Sequence, residues 1–363
     1  MSIPEIRKIM TVLNTGEGSR PEALFVGGCV RNSILSLSSG DIDIACIHPP
    51  EKTLDFLENN AIKAIPTGLE HGTITAVSGD VTAEITTLRK DVETDGRHAV
   101  VAFTDNWLED ARRRDFTMNT LLADIHGNVF DPTGRGIADL KSGKVVFVGP
   151  AEDRIGEDYL RILRFFRFHS QYGQGAPDPD GLSACEKHKN GLKALSKERI
   201  TQEFSKILLS RNVIDTCRLM IDHGILAELM NEEQLPILDD LKKNQQSLNA
   251  EYLETRYFAL NRAENAKTLV HGLSKFLVLS NAQIKFLEAL HNSVSFLDGD
   301  CGKSQLKAAI YYFGKTQAVQ AALYISAKND LSIAAVKDLV DWAPPRLPID
   351  GQDIMDLGVS EGP

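Results

Sequence analysis

Leu24–Ala45 reads LFVGGCVRNSILSLSSGDIDIA, and this stretch decides the fold. The apolar run Leu24–Val26 predicts a strand. Gly27-Gly28 ends it, a short helix opens near Val30 with Arg31 in its first turn, and Asp41 and Asp43 stand on a second strand. Alternate strand residues point to the same side, so the two carboxylates share one face while Ile42 and Ile44 turn to the other. Paired hard oxygen ligands suit Mg²⁺, which keeps waters and takes its remaining oxygens from substrate phosphates. Gly27 and Gly28 let backbone N–H groups approach a phosphate chain, and the following helix N-terminus adds positive potential. Arg31 supplies an always-charged fork for the same phosphates. A phosphate cradle beside a metal site is what phosphoryl or nucleotidyl transfer needs. A Gly-Gly pair alone is ordinarily a turn, and D-x-D alone a solvated strand edge; their combination carries the chemistry.

A chain of 363 residues can bury a large core, and more than one domain is expected. Its 42% hydrophobic and 25% charged residues are ordinary for a soluble protein. No apolar run is long enough to span a membrane. The opening MSIPEIRKIMTVL reads as an amphipathic helix and not as a signal peptide. Five cysteines, odd in number and without C-x-x-C spacing, point to a reducing cytoplasm and to neither a disulfide framework nor a zinc site. A net charge of −10 argues against coating nucleic acid by bulk positive charge; a local basic groove remains open.

Short β-rich runs dominate to about Lys141: Ala23–Val26, Asp41–Ile47, Gly72–Val77, Asp80–Thr87, Val100–Phe103 and Asn128–Phe130. Helices are expected at Pro4–Leu13, Cys29–Leu37, Glu51–Asn59, Asn106–Ala111 and from Thr117 on. This predicts an α+β head built on a small mixed sheet. From about Gly156 helical periodicity takes over, at Glu157–Tyr172, Gly181–Leu195, Lys197–Leu209, Asn212–His223, Ile225–Met230 and several more to Leu339.

Strand, Gly-Gly-x-Val-Arg, helix and strand with DxD resemble the signature of the DNA polymerase β nucleotidyltransferase superfamily. The form is that of class II CCA-adding enzymes and bacterial poly(A) polymerases. Asn32 stands where that family usually has Asp, and a hydrogen-bonding role is expected of it. Glu84, in VTAEITTLR, is a third carboxylate that binds metal, orients the attacking hydroxyl, or only positions Asp41 and Asp43. Lys90–Ala99 (KDVETDGRHA) reads as a solvated loop; by the resemblance it is a flexible loop that helps switch the pocket from CTP to ATP, with Asp95 and Arg97 as its working pair. His71 is expected to be a local turn partner.

Arg114-Asp115-Phe116-Thr117-Met118-Asn119 matches the family's RRDFTxN motif. Arg114, Asp115 and Asn119 are thereby implied in contacting the triphosphate and reading a ribose hydroxyl. Asp131-Pro132-Thr133-Gly134 resembles a structural connector. Asp158, Arg161, Arg164 and Arg167, in EDYLRILRFFR, resemble the family's base-reading helix. Asp158, Arg161 and Arg164, spaced i, i+3, i+6, are expected on one broad helix side. For an isolated helix this would read as a salt-bridged exposed face. A carboxylate accepts hydrogen bonds and a guanidinium only donates them. Asp158 suits the exocyclic amino group and Arg161 the ring nitrogen of cytosine or adenine, whereas uracil and guanine present the reverse pattern. Ser196 as N-cap with Glu198-Arg199-Ile200 and Glu203 is read as support for the neck helices.

The resemblance implies a small mixed-sheet nucleotidyltransferase head at 1–141. An elongated all-α neck (142–210, base recognition), body (211–300) and tail (301–363) follow it. It implies template-independent addition of CCA to tRNA 3′ ends from CTP and ATP, with Asp41 and Asp43 holding two Mg²⁺ and pyrophosphate released. The partner is the acceptor–T arm of tRNA, without a membrane or an inferred protein partner. A trough of Arg161, Arg164, Arg167, Lys187, Lys189 and Lys193 is expected to guide the RNA backbone. The chain stops where relatives normally continue with a further helix, which leaves the grip on the far end of a tRNA open. A bacterial poly(A) polymerase, which takes only ATP, and a non-catalytic RNA-binding relative are the alternatives.

Overall fold

The computed structural model describes residues 3–16, 20–38, 40–95, 98–225, 227, 229–230, 232–260, 265–299, 301–345 and 355–357, without the side chains of 91–101. Arg97 lies outside the described residues, as does the side chain of Asp95. Two compact units emerge: Met1–Thr216 with His223–Ile225, and Cys217–Asp222 with Leu226–Pro363.

The first unit opens with α1 (Pro4–Leu13), whose apolar positions Ile6, Ile9, Met10 and Leu13 are all buried. Then come β1 (Ala23–Val26), α2 (Gly28–Ile34), β2 (Asp43–Cys46), α3 (Pro50–Asn59), β3 (Lys63–Gly68), β4 (Thr73–Ser78) and β5 (Val81–Thr87). A seven-stranded mixed sheet has the order β3-β4-β5-β2-β1-β8-β9, where β8 is Leu122–Ala123 and β9 is Val129–Phe130. All its pairings are antiparallel except β2 with β5, which run parallel with Asp43 opposite Glu84. β1 is buried along its whole length, as a central strand should be. Leu24 and Val26 pack with Ala45, Leu88 and Leu122, and Trp107 closes that cluster.

Departures from the sequence reading concern three strand regions. β2 begins at Asp43, so Asp41, expected on the same strand, lies exposed in the bend before it. β3 (KAIPTG) carries Pro66, which cannot donate to a ladder, and therefore sits at the sheet edge with a register shift between Ile65 and Gly68. The segment read as the loop Lys90–Ala99 is instead a hairpin: β6 (Arg89–Asp95) pairs antiparallel with β7 (His98–Phe103). Its run of charged residues leaves no apolar alternation to read, and the register shifts between Asp91 and Glu93.

After α4 (Trp107–Arg112) the helix expected from Thr117 is a single 3₁₀ turn, Thr117–Asn119. Asp131 closes the connector by accepting from Gly134 N and Ile137 N, both at 3.0 Å, at the head of α5 (Gly136–Lys141). The expected helix Glu157–Tyr172 begins only at Leu160 (α7, Leu160–Tyr172), and Glu157 instead ends a separate helix before it, α6 (Ala151–Glu157). Asp158 is extended at the break (φ −156°, ψ 107°), and its Oδ1 accepts from Leu160 N at 3.1 Å, starting α7. Asp158 is therefore not one of three residues on a helix side. α8 (Pro179–His188) and α9 (Lys197–Leu208) follow. Ser196 occupies the N-cap of α9 but makes no side-chain cap hydrogen bond.

Helix α10 spans Val213–Asp222. The expected helix Ile225–Met230 is turn or irregular at its described residues. The second unit then holds α11 (Leu235–Ser247), α12 (Leu253–Ala259), α13 (Ala266–Ser274), α14 (Asn281–Leu297), α15 (Lys303–Phe313), α16 (Lys315–Ala327) and α17 (Ile333–Asp341). Every residue of α16 from Ala318 to Ala327 is buried, and α11, α14, α15 and α17 pack around it. A helix so enclosed forms the core of its unit. Ser280 and Gln283 form a reciprocal capping box on α14. No helix among the described residues is long and apolar enough to cross a membrane.

Candidate active site

The turn from β1 into α2 is built on Gly27, whose φ of 69° and ψ of −125° is a backbone region that side-chain-bearing residues avoid. It carries Gly28 and Arg31 to the edge of a cavity of about 370 Å³. Asp43 reaches it from β2, Arg114, Asp115 and Asn119 from the segment after α4, and Asp158, Arg161 and Arg164 from the α6–α7 break. Phe168 completes the lining. Asp41, Glu84 and Arg167 are not among its lining residues.

Burial pushes the Asp43 carboxyl above the usual carboxylate range, and the charges of Glu84 and Asp41 push it the same way while Arg114 pulls it back. Crowded carboxylates of this kind favour either a proton or a cation between them. Among the described residues no group of three or more His, Cys, Asp or Glu is gathered to hold a metal ion. An ion here would thus take its other ligands from substrate oxygens and water, the usual habit of Mg²⁺.

Asp115 is the hub of the site. Its Oδ1 accepts from Phe116 N at 2.8 Å and Asn119 Nδ2 at 2.9 Å, and its Oδ2 accepts from Arg164 Nε at 2.8 Å and Nη2 at 2.5 Å. Burial alone would raise its pKa. The Arg164 guanidinium and these hydrogen bonds outweigh that and hold the carboxyl below its usual range. Arg164 responds in kind: burial favours its neutral form, but Asp115 and Glu203 keep it charged, with its pKa raised. Arg114 is held by Asp110, with Nη2 at 2.8 Å from Oδ2. Arg161 donates to Glu157 Oε2 at 2.5 Å and to the Arg154 carbonyl at 2.7 Å. Asp158 Oδ2 accepts from Arg199 Nη2 at 2.7 Å. Arg31, which burial holds below the usual guanidinium range, donates to Asn119 Oδ1 at 2.6 Å, to the Tyr172 hydroxyl at 2.7 Å and to Asn32 Oδ1 at 2.9 and 3.1 Å.

Sequence reasoning missed Phe168, Tyr172 and the partners that fix the arginines. Phe168 lies under three guanidinium groups, with Arg167, Arg31 and Arg164 at 4.3, 5.1 and 5.4 Å from its centroid. Its signal was the i, i+4 step from Arg164. Glu203, buried on α9, accepts from Arg167 Nε at 2.5 Å and lies 3.7 Å from Arg164. The expected basic trough is accordingly neutralised in part, Arg167 being spent on Glu203 and Lys187 pairing with Glu152 at 2.6 Å, while Lys189 keeps its charge but is tied to the His223 carbonyl.

A mixed-sheet head whose Gly-Gly turn, carboxylate strand and arginine-bearing helix meet at one cavity defines a nucleotidyltransferase. Comparisons with known proteins agree. The family profile "Poly A polymerase head domain" matches residues 23–146, and "Probable RNA and SrmB- binding site of polymerase A" matches 176–239. The chain is 33% identical to the mitochondrial CCA tRNA nucleotidyltransferase 1 of Mus musculus, over 94% of this chain and 79% of that one, and 39% identical to the CCA-adding enzyme of Oceanobacillus iheyensis over 65% and 57%. The CCA-adding enzyme of Bacillus stearothermophilus, solved in complex with CTP, superposes with a TM-score of 0.75 at 26% identity, covering 99% of this chain and 90% of that chain. The chain belongs to the family of CCA-adding tRNA nucleotidyltransferases.

Proposed function

We propose that this enzyme rebuilds the CCA end of tRNA, adding two cytidylates and one adenylate from CTP and ATP without a nucleic-acid template. The observation that carries the reading is the single cavity lined at once by Asp43, by Arg31 and by Asp158 with Arg161. One nucleoside triphosphate can lie along that line, phosphates toward Gly27, Gly28 and Arg31 and base toward Asp158 and Arg161. Leu160 N and Arg199 orient the two Asp158 oxygens without exhausting the roughly four acceptor sites of a carboxylate, which leaves capacity for an exocyclic amino group. Arg164, Arg114, Asp115 and Asn119 hold the ribose and phosphates between these ends. Asp41 and Asp43 would hold the divalent ions, with Glu84 beside Asp43 aligning the pair. Bound Mg²⁺ would supply charge neutralisation at the triphosphate and a lower pKa for the attacking 3′-hydroxyl.

The head at 1–141 would carry catalysis and the neck at 142–210 base selection. The body (211–300) and tail (301–363) would hold the acceptor–T arm of tRNA. A tRNA-bound structure of the Thermotoga maritima CCA-adding enzyme shares this fold at a TM-score of 0.71 and 17% identity. The cytoplasm is the proposed compartment. The test is incubation of tRNA lacking CCA with labelled CTP, ATP, UTP and GTP, singly and paired. Incorporation of CMP, then AMP, is expected, with UMP and GMP refused. AMP alone would mark a poly(A) polymerase. Equal background from wild type and Asp43→Ala would mark a non-catalytic RNA binder.

A further inference from the structure

Arg31 is 7% exposed, yet the side chains described as fastening its guanidinium are all uncharged. Buried guanidinium groups ordinarily rest on a carboxylate. Here Asn119 takes Nη1, Asn32 takes Nε and Nη2, and the Tyr172 hydroxyl takes Nη2. The Tyr172 ring lies against the guanidinium, 4.2 Å from centroid to Cζ, and its hydroxyl donates to Asn32 Oδ1 at 3.2 Å. The triangle Arg31–Asn32–Tyr172 is thus closed on every side. Neutral acceptors fix the plane of the guanidinium without cancelling its charge, and the charge faces the cavity beside Gly27 and Gly28.

Tyr172 reaches this place because α7 ends there. The chain leaves the helix at Gly173 (φ −66°, ψ 144°), where a Cβ would collide with His169, so glycine is what fits the turn just after the tyrosine. The same helix carries Arg161 near its start, about 16 Å away along the axis at 1.5 Å per residue. One rigid element therefore reaches both ends of the cavity.

We propose that Tyr172 is a positioning residue for the triphosphate, holding Arg31 against the phosphates through its hydroxyl and its ring. The inference rests on the function proposed above and adds a residue to its phosphate end. Tyr172→Phe keeps the ring and removes the hydroxyl; Tyr172→Leu removes both. Loss of one hydrogen bond to a charged group predicts a KM for CTP and ATP raised about tenfold in the Phe variant, and loss of the ring a further factor of about five. The two KM values should rise by the same factor, kcat should stay within about twofold, and pyrophosphate should inhibit more weakly by that factor. A loss of base selection instead would shift CTP and ATP unequally and overturn the proposal. So would an unchanged KM in the Phe variant, which decides alone if the Leu variant does not fold. If the wild type transfers nothing to tRNA, the function proposal fails by itself. Calorimetric binding of CTP and of pyrophosphate then still decides the clamp: about tenfold weaker binding in Tyr172→Phe supports it, and equal binding refutes it.

Discussion

Replacing Asp115 by Asn should separate what holds the site from what works in it. The Asn side chain keeps the shape, and its oxygen can still accept from Phe116 N and Asn119. Its NH₂ then faces the Arg164 fork, donor against donor, where two charge-assisted hydrogen bonds of 2.8 and 2.5 Å stood. Removing one partner of a buried ion pair costs about 3–5 kcal/mol. The Arg164 side chain is 31% exposed and has Glu203 at 3.7 Å, so water and a second carboxylate recover part of this. About 2–4 kcal/mol should remain, which for a unit of this size lowers its melting temperature by about 5–15 °C. Trp107 reports on the first unit and Trp342 belongs to the second; fluorescence-detected melting in a Trp342→Phe background therefore follows the right transition. The pH dependence has a definite sign. Asp115 has a folded pKa below its unfolded value of about 3.9. Its contribution is therefore present above about pH 4 and lost as pH falls through the folded value. The difference between wild type and variant should shrink below pH 4. Equal melting temperatures at pH 7, or a gap that does not narrow at all as pH falls from about 5 to about 3, would refute the argument.

Further outcomes follow from the same geometry. Asp43→Asn should cut Mg²⁺-dependent incorporation by about a thousandfold while CTP binding in calorimetry persists; a loss of binding alone would contradict the metal role. Gly27→Ala forces a side chain into φ 69°, ψ −125°, at a cost of about 1–3 kcal/mol, and should lower incorporation more than it lowers the melting temperature of α1 and the sheet. Burial pushes the Cys217 thiol up to about 12 and Cys185 higher still. A thiol-specific reagent at pH 8 should therefore label the half-buried Cys301 first and reach the four buried cysteines only after urea unfolding.

Much of the head could be read from the string because its signals are local. The bounds of α1 and β1 agree with the apolar periodicity of Pro4–Leu13 and Ala23–Val26, and DIDIA announces β2, but that strand begins only at Asp43, so alternation places one of the two carboxylates and not Asp41. β3 was unreadable because edge exposure and Pro66 erase the strand signature. The break at Asp158 was unreadable for a different reason: EDYLRILRFF has helical spacing throughout. Only a side chain turned back onto Leu160 N, and drawn sideways by Arg199, interrupts it. The site residues themselves are named by short motifs, but their partners are not. Arg167 meets Glu203 across 36 residues and Arg31 meets Tyr172 across 141. Spacing carries no such information, since these pairs exist only once α7 lies against α9 and against the Gly-Gly turn.

With the base-reading role proposed for it, Asp158 would have two duties, and these would limit how the choice of nucleotide can drift. The carboxylate that would meet the base also anchors the first turn of the helix bearing Arg161 and Arg164. A substitution that alters the hydrogen-bond pattern offered to the base also unfastens the scaffold for its neighbours, unless the newcomer can cap a helix too. Only the short side chains Asn, Ser and Thr meet that second demand well. Evolution or engineering toward another base is thereby funnelled through very few intermediates.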